Sequence, residues 1–122
     1  YGLLWLVARR VPLVARLTAA VALEAGWEVL ENSPIIIERY RAVTISLGYT
    51  GDSILNSMSD VLMMAAGFLT ASKLRPWVTV GLVAVFEIGM LVTVRDNLTL
   101  NIVMLVYPIA AIKAWQMAAA PR

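Results

Sequence analysis

The sequence predicts an all-α, polytopic transmembrane helical bundle: about four full spans, an N-terminal partial span and one interfacial amphipathic helix. Three observations predict it. Of 122 residues, 61% are hydrophobic and 15% charged, whereas soluble domains are about 45–50% apolar and about 25% charged. Mean hydropathy is +0.80. The apolar residues also fall into five runs, with Pro, Arg, Lys and turn residues at their ends.

The first run, residues 2–8, is too short to cross a bilayer, which takes about 20 residues. The pair Arg9-Arg10 follows it, the wrong order for a signal peptide, so it reads as the end of a helix that starts upstream. The second run covers residues 12–31, with Pro12 in its first turn, where a missing N–H does no harm. Residues 32–51 form the long connection. There Ser33-Pro34 reads as an N-cap followed by proline at the first helical position. Ile35, Ile36, Ile37, Tyr40 and Val43 against Glu38, Arg39 and Arg41 predict a short amphipathic helix in the interface. After the turn Gly48-Tyr49-Thr50-Gly51, either Asp52 or Ser53 caps the third run, residues 52–72. The fourth run, residues 76–94, opens on Pro76. The fifth, residues 98–115, holds Pro108, which predicts a kink that neighbouring helices tolerate. No repeat or linker interrupts the chain, so residues 1–122 read as one domain.

Seven cations, Arg9, Arg10, Arg16, Lys73, Arg75, Lys113 and Arg122, gather on one side, and Arg39, Arg41 and Arg95 on the other. The positive-inside rule puts the first side, including the C-terminus, in the cytoplasm of a bacterial inner membrane.

Glu24, Glu28, Asp60 and Glu87 stand inside apolar runs. Each charge at mid-bilayer costs about 2.5–3.5 kcal/mol, about 10–14 kcal/mol for the four. They must be paired, protonated or lining a polar cavity, and ionisable groups at that depth mark functional sites. Glu24, Glu28 and Glu31 share one face of the second run; Asp52, Asn56 and Asp60 share one face of the third. With the two helices antiparallel, the ladders pair by depth: Glu31 with Asp52, Glu28 with Asn56, Glu24 with Asp60. Glu87 lies at similar depth in the fourth run. The candidate polar cleft therefore comprises Glu24, Glu28, Glu31, Asp52, Asn56, Asp60, Glu87, Asp96 and Asn101, bordered by Arg39, Arg41 and Arg95.

The chain has no Cys and no His, so thiolate and imidazole chemistry are excluded, and no cofactor is read from it. The arginines are scattered and form no basic stripe, so nucleic acid is not an expected partner. The bilayer is; a homo-oligomer stays open.

The runs Trp27-Glu28-Val29-Leu30-Glu31-Asn32-Ser33-Pro34, Glu38-Arg39-Tyr40-Arg41 and Gly48-Tyr49-Thr50-Gly51-Asp52-Ser53, with Arg95-Asp96-Asn97-Leu98-Thr99-Leu100-Asn101, resemble a family of bacterial multi-pass inner-membrane proteins defined as a domain of unknown function. That resemblance implies a location, a topology and a longer N-terminal segment, but no activity. A weaker similarity is to VanZ-like membrane proteins, carried by Glu28 or Glu31, Arg39 or Arg41, Asp52 with Asn56, and Gly67. Ser59 stands where a glycine belongs in that pattern. It implies an outward-facing cleft that handles an envelope lipid or glycolipid headgroup. Three other readings stand beside it: a membrane-embedded hydrolase using carboxylates or a metal at Asp52, Asp60 and Asp96; a proton- or cation-coupled transporter through Glu24, Asp60 and Glu87; and a structural subunit whose acids hold helices together.

Overall fold

The computed structural model describes residues 1–118; Arg122, one of the predicted cytoplasmic cations, lies outside them. The order is α1 (Gly2–Val7), α2 (Leu13–Glu31), α3 (Pro34–Val43), α4 (Ile54–Lys73), α5 (Pro76–Val94), α6 (Leu98–Val106) and α7 (Ala110–Met117). No strand occurs among the described residues, as the all-α prediction requires. The chain divides into two compact units. The first joins Tyr1–Asn32 to Gly51–Val80, and the second joins Ser33–Thr50 to the chain from Gly81 onward.

In the first unit α2 packs against α4. Pro12 is the N-cap of α2 and not part of its first turn; its carbonyl accepts from Arg16 N at 3.1 Å. Of the two cap candidates for α4, Ser53 does the work: its Oγ accepts from Asn56 N at 3.2 Å. Phe68 of α4 is buried and meets the Tyr1 ring edge-on at 5.3 Å. Arg16 is also buried, its guanidinium 5.4 Å from the Tyr1 ring centroid, while its Nε and Nη1 have no hydrogen-bond partner.

In the second unit α3 packs against α6. Pro34 takes the first helical position of α3, as the Ser33-Pro34 signal predicts. The fifth apolar run differs from expectation. It is two helices, α6 and α7, separated at Tyr107-Pro108-Ile109, and not one kinked span. Pro108 has no N–H and its ring crowds the preceding turn. Tyr107, just before it, leaves the helical region (φ −136°, ψ 89°). The break strands the Leu105 carbonyl, whose regular helical donor would be Ile109 N. Arg39 fills the vacancy, donating through Nε at 3.1 Å and Nη2 at 2.9 Å. Ile109 N turns instead to Met104 Sδ at 3.4 Å. Met104 is 2% exposed, the most buried side chain described.

The break also bears on the count of spans. At about 1.5 Å per residue, α6 and α7 are each less than half of a hydrocarbon core about 30 Å thick. α2 has 19 residues but carries Arg16, Glu24, Glu28 and Glu31. Among the described residues, α4 and α5 are the helices long and apolar enough to cross a membrane. No residue of α5 is buried.

Candidate functional site

The C-terminal end of α2 lies beside the approach to α4, and Asn32 joins them. Its Nδ2 donates to the Glu28 carbonyl at 2.9 Å, while its Oδ1 accepts from Asp52 N. Asp52 precedes α4, so its place is set by this bond and not by helical spacing. One turn into α4, Asn56 Nδ2 donates to Asp60 Oδ2 at 3.1 Å. As a result Glu28, Asp52 and Asp60 each bring a carboxylate oxygen within 4.8 Å of the others.

Glu28 is 7% exposed, and its Oε2 is buried without a hydrogen-bond partner. Asp52 and Asp60 are half-buried. Like charges this close repel by a few kcal/mol per pair at an effective dielectric of about 20. The arrangement can receive positive charge. Glu24, one turn before Glu28, is half-buried and adds its field to Glu28 and Asp60. Glu31 ends α2 and is engaged by a partner of its own.

Glu28 and Asp52 line a cavity of about 550 Å³, together with Ala25, Val29, Asn32, Ile54, Ser57, Met58, Val61 and Leu62. A second cavity of about 540 Å³ in the same unit, bordered by Tyr1, Leu3, Trp5 and Leu74 among others, has no charged lining residue. Chemistry therefore points to the first.

The remaining predicted residues belong to the second unit, where each has a local task. Arg39 holds the Leu105 carbonyl and Arg41 the Tyr49 carbonyl. Arg95 donates to the Trp115 carbonyl at 3.0 Å and lies over that ring at 5.3 Å. Arg95 also has a left-handed φ of 55°, a conformation that side chains rarely adopt. Asp96 Oδ1 accepts from Asn97 N at 3.0 Å and Gln116 Nε2 at 3.1 Å, and its Oδ2 accepts from Asn101 Nδ2 at 3.2 Å. Gln116, 5% exposed, also donates to the Arg95 carbonyl at 2.9 Å. This turn is a closed polar knot.

Glu87 caps α6 from α5. Its Oε1 accepts from Leu98 N at 3.2 Å; its Oε2 accepts from Thr99 N at 3.1 Å and Thr99 Oγ1 at 2.6 Å. An anion at a helix N-terminus meets both unpaired amides and the positive end of the dipole. Glu87→Ala is expected to lower the thermal midpoint of the detergent-solubilised chain, and Glu87→Gln to recover part of it. Thr99→Ala should then have a smaller effect on the Glu87→Ala background than alone. Equal effects on both backgrounds would show that the two side chains act independently.

Sequence reasoning missed Asn32 and Gln116. Asn32 was visible only as a helix-ending residue before Ser33-Pro34. Gln116 was visible as a neutral polar side chain among the largely apolar residues of α7.

The chain matches, over residues 1–118, the family model described as "Protein of unknown function (DUF2585)". It is 56% identical over 117 residues to a UPF0314 protein of Sphingopyxis alaskensis, covering 95% of this chain and 62% of that protein. It is 56% identical over 118 residues to UPF0314 protein Atu8092 of Agrobacterium fabrum, covering 97% and 60%. A Paracoccus denitrificans UPF0314 protein is 51% identical over 118 residues, covering 97% and 61%. The chain thus spans about three-fifths of the length of these relatives. No solved structure matches it. The VanZ-like similarity is not shown by these matches. A family model that accounts for almost every residue, with relatives more than half identical, leaves one assignment: the chain belongs to the DUF2585 family of UPF0314 proteins.

Proposed function

We propose that this chain is part of a multi-pass protein of the bacterial inner membrane that binds the headgroup of an envelope lipid or glycolipid in the pocket between α2 and α4. One observation carries the reading, the mixed lining of that pocket. Glu28, Asn32, Asp52 and Ser57 supply polar groups, while Val29, Ile54, Met58, Val61 and Leu62 supply apolar surface. A lipid needs both, because its head must meet polar partners while its chains stay among apolar ones. About 550 Å³ also lies within the usual range of small-ligand sites.

The outward apolar faces support a lipid environment. Leu62 is 67% exposed, Met63 71% and Phe86 71%, a density of bare apolar surface that soluble proteins avoid. In this reading Arg9, Arg10, Lys73 and Arg75 face the cytoplasm and the pocket opens on the other side. The acids carry recognition, since Arg39, Arg41 and Arg95 are each committed to a backbone carbonyl.

Filling the pocket tests the proposal. Val29→Trp and Leu62→Trp chains, purified from membranes in mild detergent, are expected to lose a lipid that native mass spectrometry finds on the unaltered chain. Leu3→Trp, at the second cavity, should keep it. The same lipid at the same occupancy in both pocket variants would sink the reading.

A further inference from the structure

We propose that Glu28, Asp52 and Asp60 form a site for one divalent cation of the Mg²⁺, Mn²⁺ or Ca²⁺ class, and that this ion is what holds the ligand's headgroup. The proposal deepens the lipid-pocket reading and rests on the same pocket.

The geometry fits. Hard divalent cations take carboxylate oxygens at about 2.1–2.5 Å, so two ligands on opposite sides of one ion are separated by up to about 5 Å. The three acids offer oxygens within 4.8 Å of one another, inside that limit. The second observation is independent of their clustering: Glu28 is 7% exposed and its Oε2 is buried with no donor. A buried anionic oxygen without a hydrogen bond calls for a positive partner. Arg39, Arg41 and Arg95 hold backbone carbonyls, and Lys113 donates to the Ala42 carbonyl at 2.6 Å.

The chemistry also selects the ion. Three carboxylates with no thiolate or imidazole suit a hard cation and disfavour Zn²⁺ or Cu²⁺. Such an ion leaves coordination positions open to water or to an outside oxygen. Three carboxylates and one divalent ion leave a net charge of −1 at the site. The open positions on the ion can take an oxygen from a phosphate, against that residual charge, or from an uncharged sugar hydroxyl, and the experiment separates these.

The experiment uses the whole chain in detergent, stripped with EDTA and delipidated, and titrated with Mn²⁺ while the free-ion electron paramagnetic resonance signal is followed. One Mn²⁺ per chain is expected, displaced by Mg²⁺ or Ca²⁺. Glu28→Gln and Asp60→Asn should each weaken binding at least tenfold, and Glu38→Gln, on exposed α3 surface, should leave it unchanged. Without metal, Asp60→Asn should melt higher than the unaltered chain, because one repelling charge is gone. That second readout keeps the test sharp if Glu28→Gln fails to fold. Binding that survives both Glu28→Gln and Asp60→Asn overturns the proposal. So does stabilisation that follows pH but not Mn²⁺, since protons would then balance the acids.

Added back to the Mn²⁺-loaded chain, short-chain phosphatidic acid and an alkyl glycoside distinguish phosphate from hydroxyl as the outer ligand. Metal binding without either lipid supports the ion site and sinks the lipid reading. Lipid bound equally with and without metal does the reverse.

Discussion

Asn32→Ala is expected to weaken Mn²⁺ binding by about ten- to a hundredfold, although Asn32 is not one of the three acids. Residues that orient metal ligands typically matter by that factor. Asn32 bonds to both the end of α2 and the approach to α4: it donates to the Glu28 carbonyl and accepts from Asp52 N. With alanine there, the half-buried Asp52 backbone amide loses its acceptor. Asp52 is then free to move off the other two acids, because no helical hydrogen bond holds it. Asn32→Asp keeps an acceptor oxygen for Asp52 N and should recover part of the affinity. Binding is measured well below the unfolding midpoint, so a purely structural role would lower the midpoint and leave affinity alone. Unchanged affinity in Asn32→Ala would show that Asp52 reaches its place without help.

Met104→Ala is expected to be the most destabilising single change in the second unit, by about 2–5 kcal/mol, the usual range for removing a large buried aliphatic side chain. The side chain is 2% exposed, so its loss opens a cavity. It also removes the acceptor of Ile109 N, the amide set adrift by the break at Pro108. Met104→Leu restores most of the volume but not the sulfur, so it should fall between alanine and the unaltered chain. Unfolding by denaturant in mixed micelles measures all three. Cation affinity should be unchanged in both, since none of the three acids belongs to this unit. Leucine as costly as alanine would mean that the sulfur contact, and not packing, decides the site.

Much of the fold was legible. The fourth apolar run was read as residues 76–94 and α5 is Pro76–Val94, because proline marks the start and Arg95-Asp96-Asn97 the end. The Ser33-Pro34 signal located α3, and the Gly48-Tyr49-Thr50-Gly51 turn followed by a capping Asp52 or Ser53 located α4. Spacing also put Glu24, Glu28 and Glu31 on one face, and Asp60 one turn past Asn56.

The fifth run shows where local reading stopped. Whether Pro108 bends a helix or ends it depends on what becomes of the stranded Leu105 carbonyl. Arg39, 66 residues away, answers that. The two acidic ladders show the same limit. Glu24 and Asp60 are near enough to interact, as pairing by depth expects, but spacing did not show that Asp52 stands outside α4, held by Asn32 and close to both Glu28 and Asp60. Glu87 looked like one more intramembrane acid, yet its two oxygens cap α6.

Taken alone, then, the order of residues determined the helical class, most helix limits and the presence of acids within apolar runs. Those follow from short-range physics: the length of apolar runs, the backbone limits of proline and the angular step of a helix. Which polar atoms meet was decided only in three dimensions. A hydrogen-bonding group that loses its local partner takes whichever one folding brings near, and spacing along the chain does not record that choice.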